Sequence, residues 1–450
     1  MTIKTIAATT LLVCANAIFH AQPAHAAMPI EHWVQPSGAQ VWLVQSPAIP
    51  MLDVQLDFDA GERRDPPGQS GLANAAAAMT SKGVAPQGPL PALDENQLGQ
   101  AWADLGASFG CGASNDRLSC KLRTLTDPAL LPQSVQLASR QLGTPSFTPA
   151  VWQRERARWS ASIQESLTRP ATVAARAFDS AVYGSHPYGA HATPQSLARI
   201  DAAALRRFYG QHVQACRAKA SVVGAVTREQ ADRIVTELLS RLPASGPCAA
   251  LPAVAEVPAL AAPVTERIAM PTAQSHVLIG QPGYKRSDPD FFALLVGNHI
   301  LGGGGFTSRL MQQVREQRGL SYSVYSHFQP GLHAGAFTIG LQTKPDQAAQ
   351  AVQVAQQVLA DFVRDGPSAD ELQAAKDNLI GGFALRLDSN AKLLGNVANI
   401  AWNGLPLDYL DTWTRHVEQV SAADVRRAFA RVLQPERMVN VIVGGPASQP

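Results

Sequence analysis

One pattern of residues occurs twice in this chain, and the repetition limits the folds that the chain can adopt. The first copy contains a helix-forming stretch and then a strand, Asp201-Ala-Ala-Ala-Leu-Arg-Arg-Phe-Tyr and Ala220-Ser-Val-Val-Gly-Ala-Val. The second copy contains Ser421-Ala-Ala-Asp-Val-Arg-Arg-Ala-Phe and Met438-Val-Asn-Val-Ile-Val-Gly-Gly. Asp and Ser are favoured at helix N-caps, and the apolar residues after them follow helical spacing. A period of about 200 residues is far longer than a solenoid unit, so it predicts two homologous domains.

A stretch rich in proline and alanine, residues 244–263, separates the two copies and predicts a surface linker. We therefore expect an N-terminal domain over residues 28–243 and a C-terminal domain over residues 264–446. Each half mixes strands of period-2 alternation, such as Leu52-Asp-Val-Gln-Leu-Asp-Phe, with helical stretches such as residues 150–167. The predicted fold class is α+β, in which each domain is a mixed α/β sandwich of a sheet backed by helices.

The first 26 residues predict a secretory signal peptide. Lys4 gives a positive start, residues 6–19 form an apolar stretch, and Ala24-His25-Ala26 is a small-x-small cleavage sequence. The apolar stretch is too short for a membrane span, and no later run of about 18 or more uninterrupted apolar residues occurs. We expect a soluble protein that is exported across a bacterial inner membrane to the periplasm.

The charge balance argues against a nucleic-acid binder. The sequence has 37 Lys and Arg residues against 35 Asp and Glu residues, a formal net charge of +2, and no basic block stands out. Binding to nucleic-acid phosphates needs a basic face that neutralises them. Nucleic acid is therefore excluded as the main partner.

Four cysteines follow the predicted signal peptide, and an even number in an oxidising compartment permits disulfides. Cys111 and Cys120 flank the turn-rich residues 114–117, so a hairpin closed there would place the two cysteines directly opposite each other. We predict a cross-strand disulfide between them, with two reduced, buried cysteines as the alternative. The sequence leaves open whether Cys216 and Cys248 are bonded, and it contains no CxxC or Cys/His cluster with metal-ligand spacing.

A helix with a glycine at each end is predicted by Gly71-Leu-Ala-Asn-Ala-Ala-Ala-Ala-Met-Thr-Ser-Lys-Gly83. This stretch resembles the signature helix of peptidase family M16, the pitrilysin and insulinase-like zinc peptidases, and in particular their short two-domain branch, M16B. The family pattern is Gly-Leu-Ala-His-x-x-Glu-His-Met, followed by Lys-Gly. Its two His lie on one helical face and bind Zn²⁺, and its Glu activates the zinc-bound water. The resemblance spans the mature chain and implies two domains with the LuxS/MPP-like metallohydrolase fold.

The three chemical positions of this motif hold Asn74, Ala77 and Ala78. Alanine offers no lone pair to a metal, and a single amide is a poor zinc ligand. In the family, a Glu on a later helix supplies the third zinc ligand; here Glu155 keeps an acidic position, and Ser162 falls where that ligand is expected. The resemblance therefore implies a degenerate zinc site at Asn74, Ala77, Ala78 and Ser162, with no metal and no catalytic residue in this chain alone.

Other residues do not rebuild such a site. Glu165 would take the ligand position in another register, but one carboxylate without the two His would not hold catalytic zinc. The pairs His186/His191 and His327/His333 lack helical i, i+4 spacing with a nearby acid. We expect a structural role for His186 and its neighbours.

A second resemblance to the same family lies in residues 301–325, Leu-Gly-Gly-Gly-Gly-Phe-Thr-Ser-Arg-Leu-Met-Gln-Gln-Val-Arg-Glu-Gln-Arg-Gly-Leu-Ser-Tyr-Ser-Val-Tyr. The segment is similar to the family's second-domain motif Ser-Arg-Leu, then Arg-Glu-x-x-Gly-Leu-x-Tyr, whose Arg and Tyr grip substrate across the chamber from the zinc. The resemblance places substrate binding and transition-state stabilisation in a complex on Arg315 and Tyr322. It also implies a glycine loop that lines the chamber or its entrance: Gly302, Gly303, Gly304 and Gly305.

Loss of the zinc residues beside an intact Arg/Tyr motif implies the non-catalytic subunit of a heterodimeric periplasmic zinc metallopeptidase. Its partner would be a catalytic M16B chain that carries His-x-x-Glu-His and the zinc, and no cofactor is expected in this chain itself. The substrates would be unfolded peptides, bound as an added strand at a sheet edge. Two alternatives stay open: an inactive scaffold or peptide-binding protein with no peptidase partner, and an active peptidase with an unorthodox site.

Overall fold

The computed structural model describes residues 29–243 and 248–445. The predicted signal peptide, residues 1–26, lies outside the described residues, as do residues 244–247 of the predicted linker. In the part of the chain that is described, every helix is too short or too polar to cross a membrane.

The first half of the chain forms a six-stranded sheet and a separate two-stranded ladder. The strands are β1 Glu31–Val34, β2 Gln40–Gln45, β3 Met51–Phe58, β4 Gly83–Val84, β5 Leu93–Asp94, β6 Ser108–Ala113, β7 Leu118–Leu125 and β8 Lys219–Gly224. The spatial order in the large sheet is β1-β2-β8-β3-β7-β6. β2 and β8 run parallel and the other pairs run antiparallel, so the sheet is mixed.

The described part of the first half also contains α-helices. They are α1 Leu72–Met79, α2 Glu95–Asp104, α3 Leu130–Gly143, α4 Pro149–Ser166, α5 Pro170–Tyr183, α6 Pro194–Ala198, α7 Ala202–His212 and α8 Arg228–Leu239. Polar residues start several of these helices because they satisfy backbone N–H groups that the first turn leaves unpaired. Asp201 accepts from the backbone N–H of Ala204 at 2.6 Å, and Thr227 forms a capping box with Gln230.

The second half builds a five-stranded sheet with its own helices. The strands are β9 Val264–Ile268, β10 Ser275–Pro282, β11 Val324–Phe328, β12 Ala336–Thr343 and β13 Val439–Val443. The helices are α9 Phe291–Asn298, α10 Ala348–Asp365, α11 Ala369–Gly381, α12 Asn390–Asn403, α13 Tyr409–Gln419 and α14 Ala422–Val432. The spatial order of the strands is β11-β12-β10-β13-β9.

The repeated sequence pattern occupies matching places in the two halves. Helix α7 leads into β8, helix α14 leads into β13, and each of these strands lies inside its sheet between two neighbours. Asp201 and Ser421 cap the two helices, as their sequences predicted. Each half is a mixed sheet with helices packed on it, so the predicted fold class is confirmed.

The two halves exchange one helix each. Helix α5, which follows α4 in the first half, packs on β10 and β13 of the second sheet, and helix α12 of the second half packs on β8 and β3 of the first. Phe178 of α5 is buried and lies directly over Gly280, where an added Cβ would be 2.7 Å from the ring. On the first sheet, the Lys219 ammonium donates to the carbonyls of Ala401 and Trp402 at 2.8 and 3.1 Å. The exchange ties the halves together through packing and through these polar contacts.

Aromatic and histidine side chains fill the junction between the halves. The Tyr188 hydroxyl donates to Asp116 Oδ1 at 2.5 Å and accepts from the backbone N–H of His333 at 3.2 Å. His186 Nδ1 accepts from the backbone N–H of Tyr188 at 3.1 Å, and its Nε2 lies 3.0 Å from the carbonyl oxygen of Ala255. The rings of His186 and His333 lie 5.1 Å apart. These two histidines connect the first half, the linker and the second half.

Two disulfides are present. Cys111 and Cys120 form the cross-strand bond that the hairpin spacing predicted, between β6 and β7. Cys216 and Cys248, whose state the sequence left open, form the second bond and attach the linker to the segment before β8.

Candidate functional site

Helix α1 carries the predicted degenerate zinc positions. It begins after Gly71, whose φ of 98° lies in the left-handed region that favours glycine. The Asp65 carboxylate accepts from the backbone N–H groups of Gly71 and Ala73 at 2.7 and 2.8 Å. It therefore satisfies two of the donors that the first turn of a helix leaves unpaired. The local sequence thus fixes where this helix starts.

The three motif positions present no metal ligands to a common point. Asn74 and Ala78, four residues apart and on one helical face, are partly exposed, and Ala77 is fully buried. The Asn74 side-chain amide donates to the carboxylate of Glu62. Because the two alanines have only methyl groups and the one polar side chain is occupied by Glu62, these residues do not fit a zinc ion.

Two carboxyl groups near the start of α1 have unusual proton affinities. Burial raises the pKa of Asp65 to about 7, although the backbone N–H groups of Ala73 and Gly71 oppose the rise. Burial also raises the pKa of Glu62, against the opposing effects of His191 and the Asn74 amide. Among the described residues, no group of three or more His, Cys, Asp or Glu is arranged to hold a metal ion.

Helix α4 presents Glu155 and Ser162. Glu155 is only 4% exposed and is already paired: its carboxylate contacts Arg154 at 2.9 Å, Arg158, and Lys82 at 3.8 Å. Ser162 is exposed to solvent. An acid held by three cations serves to join α4 to the end of α1, and a serine hydroxyl at the ligand position is no substitute for a carboxylate.

Helix α4 also carries Glu165, the alternative in a shifted register. Glu165 is exposed and lies 3.5 Å from Arg169. In the described part of the chain, Glu165 belongs to no group of His, Cys, Asp or Glu that could hold a metal ion.

The glycine run lies against edge strand β11 of the second sheet. Residues 299–303 form a π-helical turn after α9. A Cβ on Gly302 would lie 2.4 Å from the backbone nitrogen of Ser326, so the two backbones approach as closely as glycine allows. Asn298 donates to the carbonyl of Ser326 at 3.2 Å, and Gly305 turns the chain with a φ of 63°. The turn brings the next residue, Phe306, to the surface.

Arg315 and Tyr322 lie side by side with Phe306. The guanidinium carbon of Arg315 is 4.8 Å from the centre of the Tyr322 ring and 4.9 Å from that of Phe306. Tyr322 is 80% exposed and Phe306 is 66% exposed. No carboxylate among the described residues pairs with Arg315, so its N–H groups remain available to a carbonyl or carboxylate from outside. Two aromatic faces hold the planar cation by cation–π contact.

A cavity of about 550 Å³ opens beside these three residues. The glycine run forms one wall, and Tyr325 and His327 form another. Burial lowers the pKa of His327, which keeps its ring neutral near pH 7. The structure thus brings Arg315 and Tyr322 together with the glycine loop. It places α1 elsewhere, against β6 and β7 of the first sheet.

Sequence reasoning missed Phe306 and Tyr325. Both are large aromatic residues in the matched segment, and both are exposed, Tyr325 by 46%. A phenylalanine directly after a run of glycines was the available signal, because binding residues are often carried on loops. The contact with Arg315 could not be read from the sequence.

Strand β6, next to α1, has an open edge. The Cα atoms of Cys111 and Cys120 are 4.0 Å apart, the close spacing of a pair that shares no ladder hydrogen bonds. The N–H and C=O of Cys111 therefore point away from β7, and those of Phe109 and Ala113 do so by the same alternation. A Cβ added at Gly110 or Gly112 would meet no atom within 4 Å. An extended peptide would find both free backbone groups and space here.

Comparisons with known proteins agree on one family. The family model described as the peptidase M16 inactive domain matches residues 199–379. An uncharacterized zinc protease of Streptomyces coelicolor is 30% identical over 257 residues, which cover 56% of this chain and 55% of that protein. A non-peptidase homolog of Helicobacter pylori is 34% identical over 159 residues, 34% of this chain and 36% of that protein. The aligned part thus spans about half or less of these two relatives.

A solved structure is similar over nearly the whole chain. The crystal structure of a peptidase M16 inactive domain from Pseudomonas fluorescens superposes with a TM-score of 0.86 and 32% sequence identity. The match covers 94% of this chain and 99% of that one. The similarity therefore extends over both halves of the chain.

Proposed function

Because this chain belongs to peptidase family M16, we propose that it is the non-catalytic subunit of a heterodimeric periplasmic zinc peptidase. In this proposal it presents Arg315 and Tyr322 to the zinc site of a partner chain that carries His-x-x-Glu-His. The substrates are unfolded peptides.

The observation that carries the proposal is the contact between Arg315, which is partly exposed, and Tyr322, which is exposed. The Arg315 guanidinium contacts two aromatic rings and has no carboxylate partner in the described part of the chain, so it contributes little to the stability of the fold. Similarly, a tyrosine that is 80% exposed buries little surface. A guanidinium and a phenol without hydrogen-bond partners among the described residues are suited to binding a ligand. The guanidinium would donate to a peptide carbonyl, and the phenol would donate to the oxyanion that develops on that carbonyl.

The residues at the zinc positions of α1 support the proposal that a second chain is needed for catalysis. Ala77 and Ala78 supply no ligand and no general base, so this chain would bind and orient the peptide without cleaving it. The partner's zinc would supply the activated water. The peptide would be bound by this chain while the zinc-activated water is held by the partner, so the two chains must enclose one chamber.

The open edge of β6 supports the substrate class. Backbone N–H and C=O groups of Phe109, Cys111 and Ala113 point outward and would pair with any extended peptide, whatever its side chains. An unfolded peptide can take the extended conformation that this pairing needs without first breaking hydrogen bonds of its own. The disulfides Cys111–Cys120 and Cys216–Cys248 fit an oxidising compartment such as the periplasm.

The test is co-purification followed by mutation. Tagged mature chain is drawn from periplasmic extract, co-purifying chains are identified, and the eluate is assayed for peptide hydrolysis that a zinc chelator stops. Arg315→Ala and Tyr322→Phe are then introduced. We expect each to lower kcat/KM of the complex by about 10²-fold or more, the effect of removing one transition-state donor, with the complex still assembled.

Arg318→Ala is the matched control, because Arg318 is an exposed arginine of the same segment that bonds only to Gln313 among the described residues. Unchanged rates from Arg315→Ala and Tyr322→Phe would remove the mechanism. Recovery of the chain alone, without hydrolysis, would favour the inactive scaffold or peptide-binding protein.

A further inference from the structure

One face of the second sheet is only half covered. Helix α5 packs on β10 and β13 of that face and leaves β12 and β11 without a helix. In the register of the sheet, Tyr325 lies opposite Gly340, which lies opposite Leu278, so the three share this face. A Cβ on Gly340 would be 2.5 Å from the Tyr325 ring, so the ring lies flat over the glycine. A groove remains between this ring and α5.

The groove is a cavity of about 420 Å³. Ala171 and Ala175 of α5 form one wall, Tyr322 and Tyr325 form the other, and Leu278 is part of the floor. The two alanines are exposed and small, which keeps the groove open.

No Asp, Glu, Lys or Arg side chain of the described residues lines the groove. Its one titratable imidazole, His276, is partly buried, and burial lowers the pKa of that ring. The lining is therefore neutral at pH 7. Its other polar groups, on Gln274, Ser323 and Gln342, carry no charge. A charged side chain would lose hydration here without gaining an opposite charge, whereas an apolar side chain loses no favourable hydration.

Tyr322 connects the groove to the candidate site. Its ring contacts the Arg315 guanidinium on one side, and the same residue lines both this groove and the larger cavity beside the glycine loop. A peptide whose carbonyl is held by Arg315 would therefore pass the mouth of the groove. One of its side chains would point toward Ala175 and Tyr325.

We propose that this groove is a specificity pocket for one bulky apolar side chain, preferably aromatic, of the peptide that Arg315 and Tyr322 hold. The aromatic walls favour a ring, which would lie edge-on or offset against Tyr322 and Tyr325. The inference rests on the proposed function, since it extends the same binding site. It adds the class of residue that the substrate must carry.

The experiment uses the full mature chain and two fluorescein-labelled, unstructured peptides that differ only by Phe or Ala at one central position. Fluorescence anisotropy gives both dissociation constants without a catalytic partner. Burial of a Phe side chain should make the Phe peptide bind about tenfold more tightly or better. Ala175→Trp, which fills the groove, should reduce that ratio to near one. Ala171→Trp is a second groove-filling variant if the first fails to fold.

Ser180→Trp is the matched control: it adds the same side chain at an exposed position of α5 that does not line the groove. It should retain the preference for Phe. A Phe preference that persists in both groove-filling variants, or is absent from the unmodified chain, overturns the pocket. Arg315→Ala should weaken both peptides by the same factor. If the groove-filling variants leave the Phe preference unchanged while Arg315→Ala still lowers hydrolysis by the complex, the proposed function stands without the pocket. If the groove-filling variants leave the Phe preference unchanged and Arg315→Ala leaves hydrolysis unchanged, both proposals fail.

Discussion

Replacing Lys219 by Met should destabilise the whole chain, because this lysine joins the first sheet to the exchanged helix α12. Its ammonium donates to Ala401 and Trp402, two of the last carbonyls of α12, which have no partner within the helix. The ammonium also lies 5.6 Å from the centre of the Trp402 ring. Methionine keeps the apolar stem and removes the charge.

The size of the effect follows from these contacts. A hydrogen bond to a charged group contributes about 1.5–3 kcal/mol, and a cation–π contact about 0.5–1 kcal/mol. The substitution removes two such bonds and one ring contact. It also removes the free-energy cost of taking the ammonium out of water, and this burial is the main reason that the pKa of Lys219 is lowered. The net loss in the free energy of unfolding should be about 2–4 kcal/mol.

Urea denaturation followed by circular dichroism and by tryptophan fluorescence measures this loss. Lys121→Met is the control, because Lys121 is an exposed lysine on strand β7 of the same sheet. We expect it to change stability by less than about 0.5 kcal/mol. If Lys219→Met and Lys121→Met are equally stable, α12 does not depend on this lysine, and the account of how the halves are joined is wrong.

Two further predictions concern the junction and the disulfide. Burial and the neighbouring His333 lower the pKa of His186 below 6.5. The unfolded chain therefore takes up a proton at this ring more readily than the folded chain does. The stabilising effect of His186 is complete above pH 6.5 and declines as the pH falls. The stability gap between wild type and His186→Gln should therefore shrink from pH 8 to pH 5 in urea denaturation, and a gap that widens would contradict the assigned ring state. Replacing Cys111 and Cys120 together by Ser should lower the free energy of unfolding by about 2–3 kcal/mol, the value for so short a loop; an unchanged midpoint under non-reducing conditions would show that the bond adds no stability.

Much of the candidate site could be predicted from the sequence because its evidence is local. A helix bounded by Gly71 and Gly83 shows at once which side chains stand at the motif positions, and Asn74, Ala77 and Ala78 have the same chemistry in any fold. The roles assigned to Arg315 and Tyr322 stay predictions, although the two side chains lie in contact. The second aromatic partner of Arg315, Phe306, could not be predicted, because the contact depends on the path of the glycine turn.

By itself, the sequence determined which side chains stand at the zinc positions of α1, and it predicted the duplicated α+β architecture and the pairing of Cys111 with Cys120. Each follows from spacing and residue chemistry within short stretches. Only the tertiary structure decided that α5 and α12 change places between the sheets. Period-2 alternation in β3 predicts one buried face, yet Asp53, Gln55 and Asp57 on the opposite face are buried as well. An amphipathic pattern states that a surface must be covered, but which distant element covers it depends on the free energy of the whole packed chain.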